Sequence, residues 1–318
     1  MDLDELTVPH RRSGVPVYRL RGGSRFDFRA EREDAAELDR VWPVVASVLA
    51  ELDGTSHWIG PLDTRVRSLP ETPDAADALR SALQQGWAAA MTEFEAVTLR
   101  VFSSPDPPRQ QLSLIVPDPA SREPWASLVV GESPSSFFAS PEAVIERTLR
   151  EAALLRPHAG SVGLCLMSEP WMEHQHTASA LPYLQRYPGL GLPHRLEMGA
   201  GGRGIGGVDW LTILGEDPLE LVGGITGLRD RLREAARSLD APEPELLRYD
   251  GGALVRAGEM PKLGDSEGEG APLGYRVVDA ALRPLRWDGR SSRRSALLKA
   301  PPGVDPEHAT LRWARRFE

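Results

Sequence analysis

Cysteine, lysine and long apolar runs are what this 318-residue chain has least of. A single cysteine, Cys165, cannot close an internal disulfide, which excludes a bridge-stapled secreted scaffold and fits a reducing compartment. The longest apolar run, residues 41–50, is broken by Pro43 and falls far short of the roughly 20 residues a membrane-spanning helix needs. Residues 1–14 are charged and lack the apolar centre of a secretory signal, so the expected location is the cytoplasm. Lys262 and Lys299 are the sole lysines among 37 bases, a bias that reflects coding composition more simply than chemistry.

The rest of the composition is that of a folded protein, 41% hydrophobic and 26% charged. At about 150 residues per domain the length suggests two units. The net charge of −9 argues against a general polyanion binder and permits a basic partner. Its distribution is uneven. From Arg283 onward nine bases face four acids, a local +5 that leaves −14 for the remainder.

Apolar spacing sets the expected elements. Residues 15–20 read as a strand, and Leu38, Val41, Val45, Val48 and Leu52 form one helix face that stops near Gly54. Thr72-Pro73 opens a second helix with Leu79, Leu83, Trp87 and Ala90 on one side. Between 94 and 132 the period drops to two: Val97, Leu99, Val101 and then Leu112, Leu114, Val116 alternate, with proline-rich breaks at 105–108 and 117–124. Ser140-Pro141-Glu142 begins a helix, residues 162–167 a buried strand that holds Cys165 as a small hydrophobe, and residues 208–214 another strand. Asp217-Pro218 starts a helix that Gly223-Gly224 interrupts. Asp250-Gly251 suits a tight hairpin turn, and residues 306–317 close the chain as a helix. The fold expected is α+β: an antiparallel sheet flanked by helices in a lobe of residues 1–192, and a second α/β lobe over 193–318.

Four constellations bear on chemistry. Gly202-Arg203-Gly204-Ile205-Gly206-Gly207 fits G-x-G-x-x-G, but a strand follows it where a dinucleotide site needs a helix, so a turn is the better reading. Gly264-Asp265-Ser266-Glu267-Gly268 fits the G-x-S-x-G elbow, with Asp305 and His308 in hydrolase order. Met260-Pro261-Lys262-Leu263 is no elbow strand, and Gly268, Gly270 and Pro272 oppose a helix behind it, which favours an exposed acidic loop. Glu173-His174-Gln175-His176 offers metal ligands, yet on a helix the two histidines point about 200° apart. Arg286, Arg290, Arg293 and Arg294 beside Trp287 could hold phosphates and stack on a base, against the simpler reading of a solvated or internally paired face. None of the four is a convincing active site.

The second half carries a different signal. Gly207-Val208-Asp209-Trp210-Leu211-Thr212-Ile213-Leu214-Gly215, Gly223-Gly224, Tyr249-Asp250-Gly251-Gly252-Ala253-Leu254-Val255-Arg256-Ala257-Gly258 and Pro261-Lys262-Leu263-Gly264-Asp265, in this order, resemble the type VI secretion immunity family. His158-Ala159-Gly160-Ser161-Val162-Gly163-Leu164, Tyr187-Pro188-Gly189-Leu190, Leu285-Arg286 and residues 311–317 are similar to family segments too, so the resemblance spans about residues 90–318. It departs from the family after Leu263-Gly264-Asp265, where Glu267 stands in place of an asparagine and the loop lengthens through Glu269-Gly270. The resemblance implies a cytoplasmic, non-enzymatic antidote without cofactor or metal, which blocks a cognate effector protein, in some members a VRR-Nuc-type nuclease. Such motifs can specify fold more than contact, because an antidote's surface must vary with its toxin.

Charge suggests where contact would fall. A nuclease cleft must be basic to hold phosphates, so an acidic inhibitor gains steering there. Residues 243–270 hold Glu243, Glu245, Asp250, Glu259, Asp265, Glu267 and Glu269 against Arg248, Arg256 and Lys262. The candidate effector-binding residues are Asp265, Glu267, Glu269, Glu259 and Asp250, with residues 265–269 expected as a flexible acidic surface. The alternatives are a serine hydrolase using Ser266, Asp305 and His308, and a nucleic-acid module using the basic C-terminal strip. For the leading reading, no membrane and no direct nucleic-acid contact are expected.

Overall fold

The computed structural model describes residues 3–29, 35–51, 56–60, 66–69, 74–92, 97–103, 110–116, 125–168, 176–192, 204–286 and 298–318. Leu52, Gly54, Thr72-Pro73, the two proline-rich breaks, Glu173-His174-Gln175, Gly202-Arg203 and Trp287, Arg290, Arg293 and Arg294 lie outside them.

One antiparallel sheet organises the chain. Its spine is β2 (Pro16–Arg29), paired on one side with β7 (Trp125–Glu132) and on the other with β8 (Ala159–Ser168), while β1 (Thr7–Pro9) adds to its start. Beyond β7 come β6 (Gln111–Val116), β5 (Val97–Phe102), β3 (His57–Ile59) and β4 (Arg67–Ser68). Beyond β8 come β9 (Leu211–Gly215), β11 (Gly252–Arg256) and, at the far edge, β10 (Glu245–Tyr249). The β8–β9 pairing, Ala159 opposite Leu214 through Val162 opposite Leu211, carries the sheet without a break from one expected lobe into the other. The strand expected at 15–20 continues through Gly22-Gly23 to Arg29, longer than its first apolar alternation suggests.

Alternation along the strands makes two unlike faces. Phe26, Phe28, Leu99, Val101, Leu112, Leu114 and Leu128 join one apolar cluster with Leu38, Val41, Val44 and Val45 of α1 (Ala35–Glu51), Leu79 and Leu83 of α2 (Ala75–Thr92), and Val144, Ile145, Ala152 and Leu155 of α4 (Pro141–Leu155). A short α3 (Pro134–Ala139) contributes Phe137, whose ring fills the space above Gly22 that a side chain there would need. Burying each large side chain contributes roughly 1.5–3 kcal/mol, so this cluster is the main source of stability. Between these positions lie Arg25, Asp27, Gln111, Ser113 and Ser127, polar and buried on the opposite face.

A second cluster joins the start of the spine to the chain's end. Val17, Tyr18, Leu20, Leu164 and Leu166 pack with Leu181 and Leu184 of α5 (Thr177–Arg186) and Trp313 of α9 (Pro306–Ala314). Between β9 and the hairpin, α6 (Glu216–Leu221) and α7 (Gly224–Ser238) are separated where Gly223 and Gly224 take φ of +88° and +68°, the helix break expected from sequence. No helix follows the 264–268 segment directly, as expected; α8 (Leu273–Leu282) begins only after Pro272, seven residues beyond Ser266. Pro272 occupies the N-cap, where a missing N–H breaks no helical bond, so proline opens this helix. No described helix is long and apolar enough to cross a membrane.

Candidate functional site

The five candidate acids fall in three places, and each place has its own cation. Asp250 sits in the turn of the β10–β11 hairpin, where Tyr249 opposes Gly252 and Gly251 takes φ +96°, and its carboxylate meets Arg156 at 2.6 Å. At the hairpin's open end, roughly 17 Å away for a five-residue strand, Arg256 gathers Glu142 at 2.7 Å and Glu245 at 3.2 Å. Its guanidinium also donates to the main-chain carbonyl of Glu259 at 2.8 Å. Glu142, Glu245 and Glu259 are exposed, and the Glu142 and Glu245 carboxylates share one guanidinium.

The third place is residues 264–270. This segment is not the free acidic loop its composition suggests. Asp265 N–H donates to Gly270 O at 3.1 Å, and Gly270 and Gly268 N–H return bonds to Asp265 O at 2.7 and 3.0 Å. Gly264 and Gly270, at φ +65° and +79°, make the tight turn possible. The turn is docked on the end of α5: Ser266 N–H donates to Arg186 O at 2.7 Å, and Arg186 meets Asp265 at 3.1 Å and Glu267 at 3.5 Å. The hydrogen bond from Arg186, then the Glu267 N–H, holds the Asp265 carboxyl below its usual range. Glu269 is exposed and makes no ion pair among the described residues.

The hydrolase constellation is not assembled. The Ser266 hydroxyl donates to Gln185 O at 3.1 Å, Asp305 caps α9 by accepting from Glu307 N–H at 2.9 Å, and no hydrogen bond joins Ser266, Asp305 and His308 among the described residues. Of the glycine motif, Gly204 offers its carbonyl to His158 Nε2 at 3.0 Å and Ile205 is buried ahead of strand β9. Arg286, the described member of the basic strip's arginines, is internally paired with Asp279 at 2.6 Å and Glu318 at 2.7 Å. His176 precedes α5 and stands edge-on to His10, and no group of three potential ligands among the described residues could share a metal ion. Cys165 is buried, which pushes its thiol well up and out of reactive range.

Behind this surface lies a buried network that sequence reasoning did not anticipate. Arg316, beyond the end of α9, donates to Pro188 O at 2.7 Å, Val208 O at 3.0 Å and Trp313 O at 3.2 Å, and its guanidinium stacks 4.4 Å from Trp313 and 4.5 Å from Phe317. Burial pushes its pKa down to about 10. Beside it Asp209 is buried over Gly163, where any Cβ would overlap its Oδ1, and accepts from Trp210 N–H at 2.8 Å. Desolvation pushes the Asp209 carboxyl up to about 7, against the opposing pull of Trp210 N–H and Arg316. Gly189 N–H meets Leu263 O at 2.6 Å, and Lys262 N–H meets the Tyr275 hydroxyl at 3.1 Å. The segments around Tyr187-Pro188-Gly189-Leu190, Val208-Asp209-Trp210, Pro261-Lys262-Leu263 and 311–317 therefore interlock in one place.

Two cavities lined by described residues are small. One of about 40 Å³ lies among Arg25, Asp27, Ser161, Asp209, Trp313 and Arg316. Another of about 20 Å³ lies beside Glu132, Arg147 and Glu151, where burial raises Glu151 to about 7. Both suit a few waters, whereas small-molecule sites run to hundreds of cubic ångströms. These features define an α+β protein with an apolar core, one interlocked polar network behind its surface, and charged outer segments.

The comparisons with known proteins agree with that class. Residues 118–317 match the model of the family described as type VI immunity for VRR-NUC, and the chain belongs to that family. Among solved structures it is similar to the Pseudomonas aeruginosa T6SS protein PA0821, with a TM-score of 0.72 and 18% identity over 95% of this chain and 85% of that one, which shows a shared fold. No curated protein sequence matches. The chain is a type VI immunity protein.

Proposed function

We propose that this protein is a non-catalytic cytoplasmic antidote that binds a VRR-Nuc effector and covers the face with which that effector holds nucleic acid. The observation that carries this reading is the family match over residues 118–317. The charge pattern supports it: Glu259, Asp265, Glu267 and Glu269 outnumber Arg186 and Lys262 around the 259–269 segment, and a nuclease must present a basic face to phosphates. Binding such a face blocks catalysis without chemistry by the inhibitor. Long-range attraction speeds the encounter, and buried contacts then set residence time.

The test is stoichiometric inhibition. A purified VRR-Nuc effector from the same genome should lose nuclease activity at one equivalent of this protein, and cells that express the effector should survive only when both are produced. Failure to protect against a verified toxic effector, or to bind it, would overturn the reading.

A further inference from the structure

The two edges of the sheet are not alike. One ends in β4, two residues long, while the other ends in β10, five residues long and paired with β11 without a register shift. Hydrogen-bond parity fixes which way the β10 backbone faces. Ala257 N–H donates to Trp210 O at 2.9 Å, so the odd-numbered residues of β11 turn their main-chain groups towards β9 and the even-numbered ones towards β10. Their partners Glu245, Leu247 and Tyr249 are thus hydrogen-bonded within the hairpin. Leu246 and Arg248 turn their N–H and C=O groups outward, and neither has a main-chain partner among the described residues.

Sheet proteins normally blunt such an edge with proline, a bulge or a very short strand. Residues 245–249 hold no proline and no bulge; α4 packs against β10, tied to the hairpin by Glu142 to Arg256 and Arg156 to Asp250, but it gives the Leu246 and Arg248 main-chain groups no partner among the described residues. Resting on the function proposed above, we propose that β10 is a docking edge to which a strand of the effector adds, placing a basic residue beside Glu245. Charge selects this occupant. At the 245 end of the edge, Glu142 and Glu245 share the one guanidinium of Arg256, with exposed Glu259 next to them. An incoming Lys or Arg completes that pairing. A second copy fits less well, because it carries −9 overall and brings its own Glu142, Glu245 and Glu259 to the seam against Arg248, its Arg156 and Arg256 being already paired with Asp250, Glu142 and Glu245. Strand addition also uses main-chain bonds for affinity and leaves side chains free to set which effector is accepted.

Amide hydrogen exchange on the full-length protein, alone and with the purified VRR-Nuc effector, tests this directly. In the free protein the Leu246 and Arg248 amides should exchange fast beside protected Leu247 and Tyr249, and in the complex all four should be slow. A complex that forms while Leu246 and Arg248 stay fast overturns the docking edge and leaves the antidote reading standing. Slowing of the same amides in the free protein as its concentration rises identifies a second copy as occupant and also overturns it. Absence of any complex with a verified effector removes both. Arg248→Pro deletes an outward N–H that β11 does not use, so the variant should keep the free protein's exchange pattern and bind about tenfold more weakly. Unchanged affinity of that folded variant is contrary to the proposal.

Discussion

The Arg316 network and the 259–269 segment lie close in sequence-order logic, since both use segments of the family motifs, yet they treat charge in opposite ways. Inside, every Arg316 donor group meets a carbonyl, and Asp209 is held over a glycine with no room for a Cβ. Outside, Asp265 and Glu267 share Arg186, and Glu269 is left to solvent. Removing a buried partner exposes the others to an unsatisfied, desolvated state, whereas removing an exposed one costs little. The motifs around 188, 208–210 and 262–263 therefore carry the fold, and the outer acids contribute little to it.

The largest effect that separates the two regions should come from Arg316→Ala. It orphans the Pro188 and Val208 carbonyls and removes the cation beside buried Asp209. Leaving these carbonyls unpaired costs about 1–3 kcal/mol each, roughly 2–6 kcal/mol together, or a fall in Tm of about 3–9 °C for a chain of this size. Urea unfolding measures it. Arg316→Lys should recover little, because one ammonium cannot reproduce the planar fork that reaches three carbonyls. A cost below about 1 kcal/mol would show that the interior network is dispensable.

The next effect is one of pH. The Asp209 carboxyl is raised to about 7 in the folded protein from 3.8. A carboxyl shifted upward binds its proton more tightly when folded, so its contribution is most favourable below pH 4 and is lost as pH rises from about 4 to about 7. The rise from 3.8 to about 7 corresponds to roughly 4 kcal/mol. Asp209→Asn keeps an acceptor for Trp210 N–H and removes the titration. The variant should gain on the native protein between pH 4 and 7.5, and the difference curve isolates Asp209 because Glu151, raised in the same direction, is present in both. Parallel stability curves would contradict the assignment.

What sequence reveals follows the same division between local and long-range order. The helix face of α1, the start of α4 at Ser140-Pro141, the Gly223-Gly224 break before α7, the alternation of β5 and β6, and the Asp250-Gly251 turn are local patterns, and the structure has them. The length of β2 was hidden because Gly22-Gly23 interrupts its apolar alternation, and these glycines make sense only with Phe137 above one of them and Cys165 beside the other. The Pro272 start of α8 was hidden by reading proline as a breaker without asking for its position. At the surface, composition located the acids but not their cations: Arg186 lies 79 residues from Asp265, Arg156 94 from Asp250, and Glu142 114 from Arg256. Pairing over such separations is decided by the sheet order, which no local pattern carries.

The smallest effect on stability, and the largest on association, should come from the outer acids. Replacing Asp265, Glu267 and Glu269 together with Lys reverses the charge of the docked turn, but it also removes the Asp265 contacts with Arg186 and Glu267 N–H that shape it. A slower association by the triple variant alone would therefore mix lost steering with an altered turn. Glu269→Lys avoids this, since Glu269 makes no ion pair among the described residues. If the segment steers, both variants should associate more slowly with the VRR-Nuc effector at low salt, the triple by at least about tenfold and the single by less. The differences should shrink as ionic strength rises, because the screening length falls from about 30 Å at 0.01 M to about 8 Å at physiological salt. Association kinetics over a salt series measures this. A slow triple variant beside an unchanged single one would assign the loss to the turn's shape, and equal rates for all three proteins at low salt would move the steering surface elsewhere on the molecule.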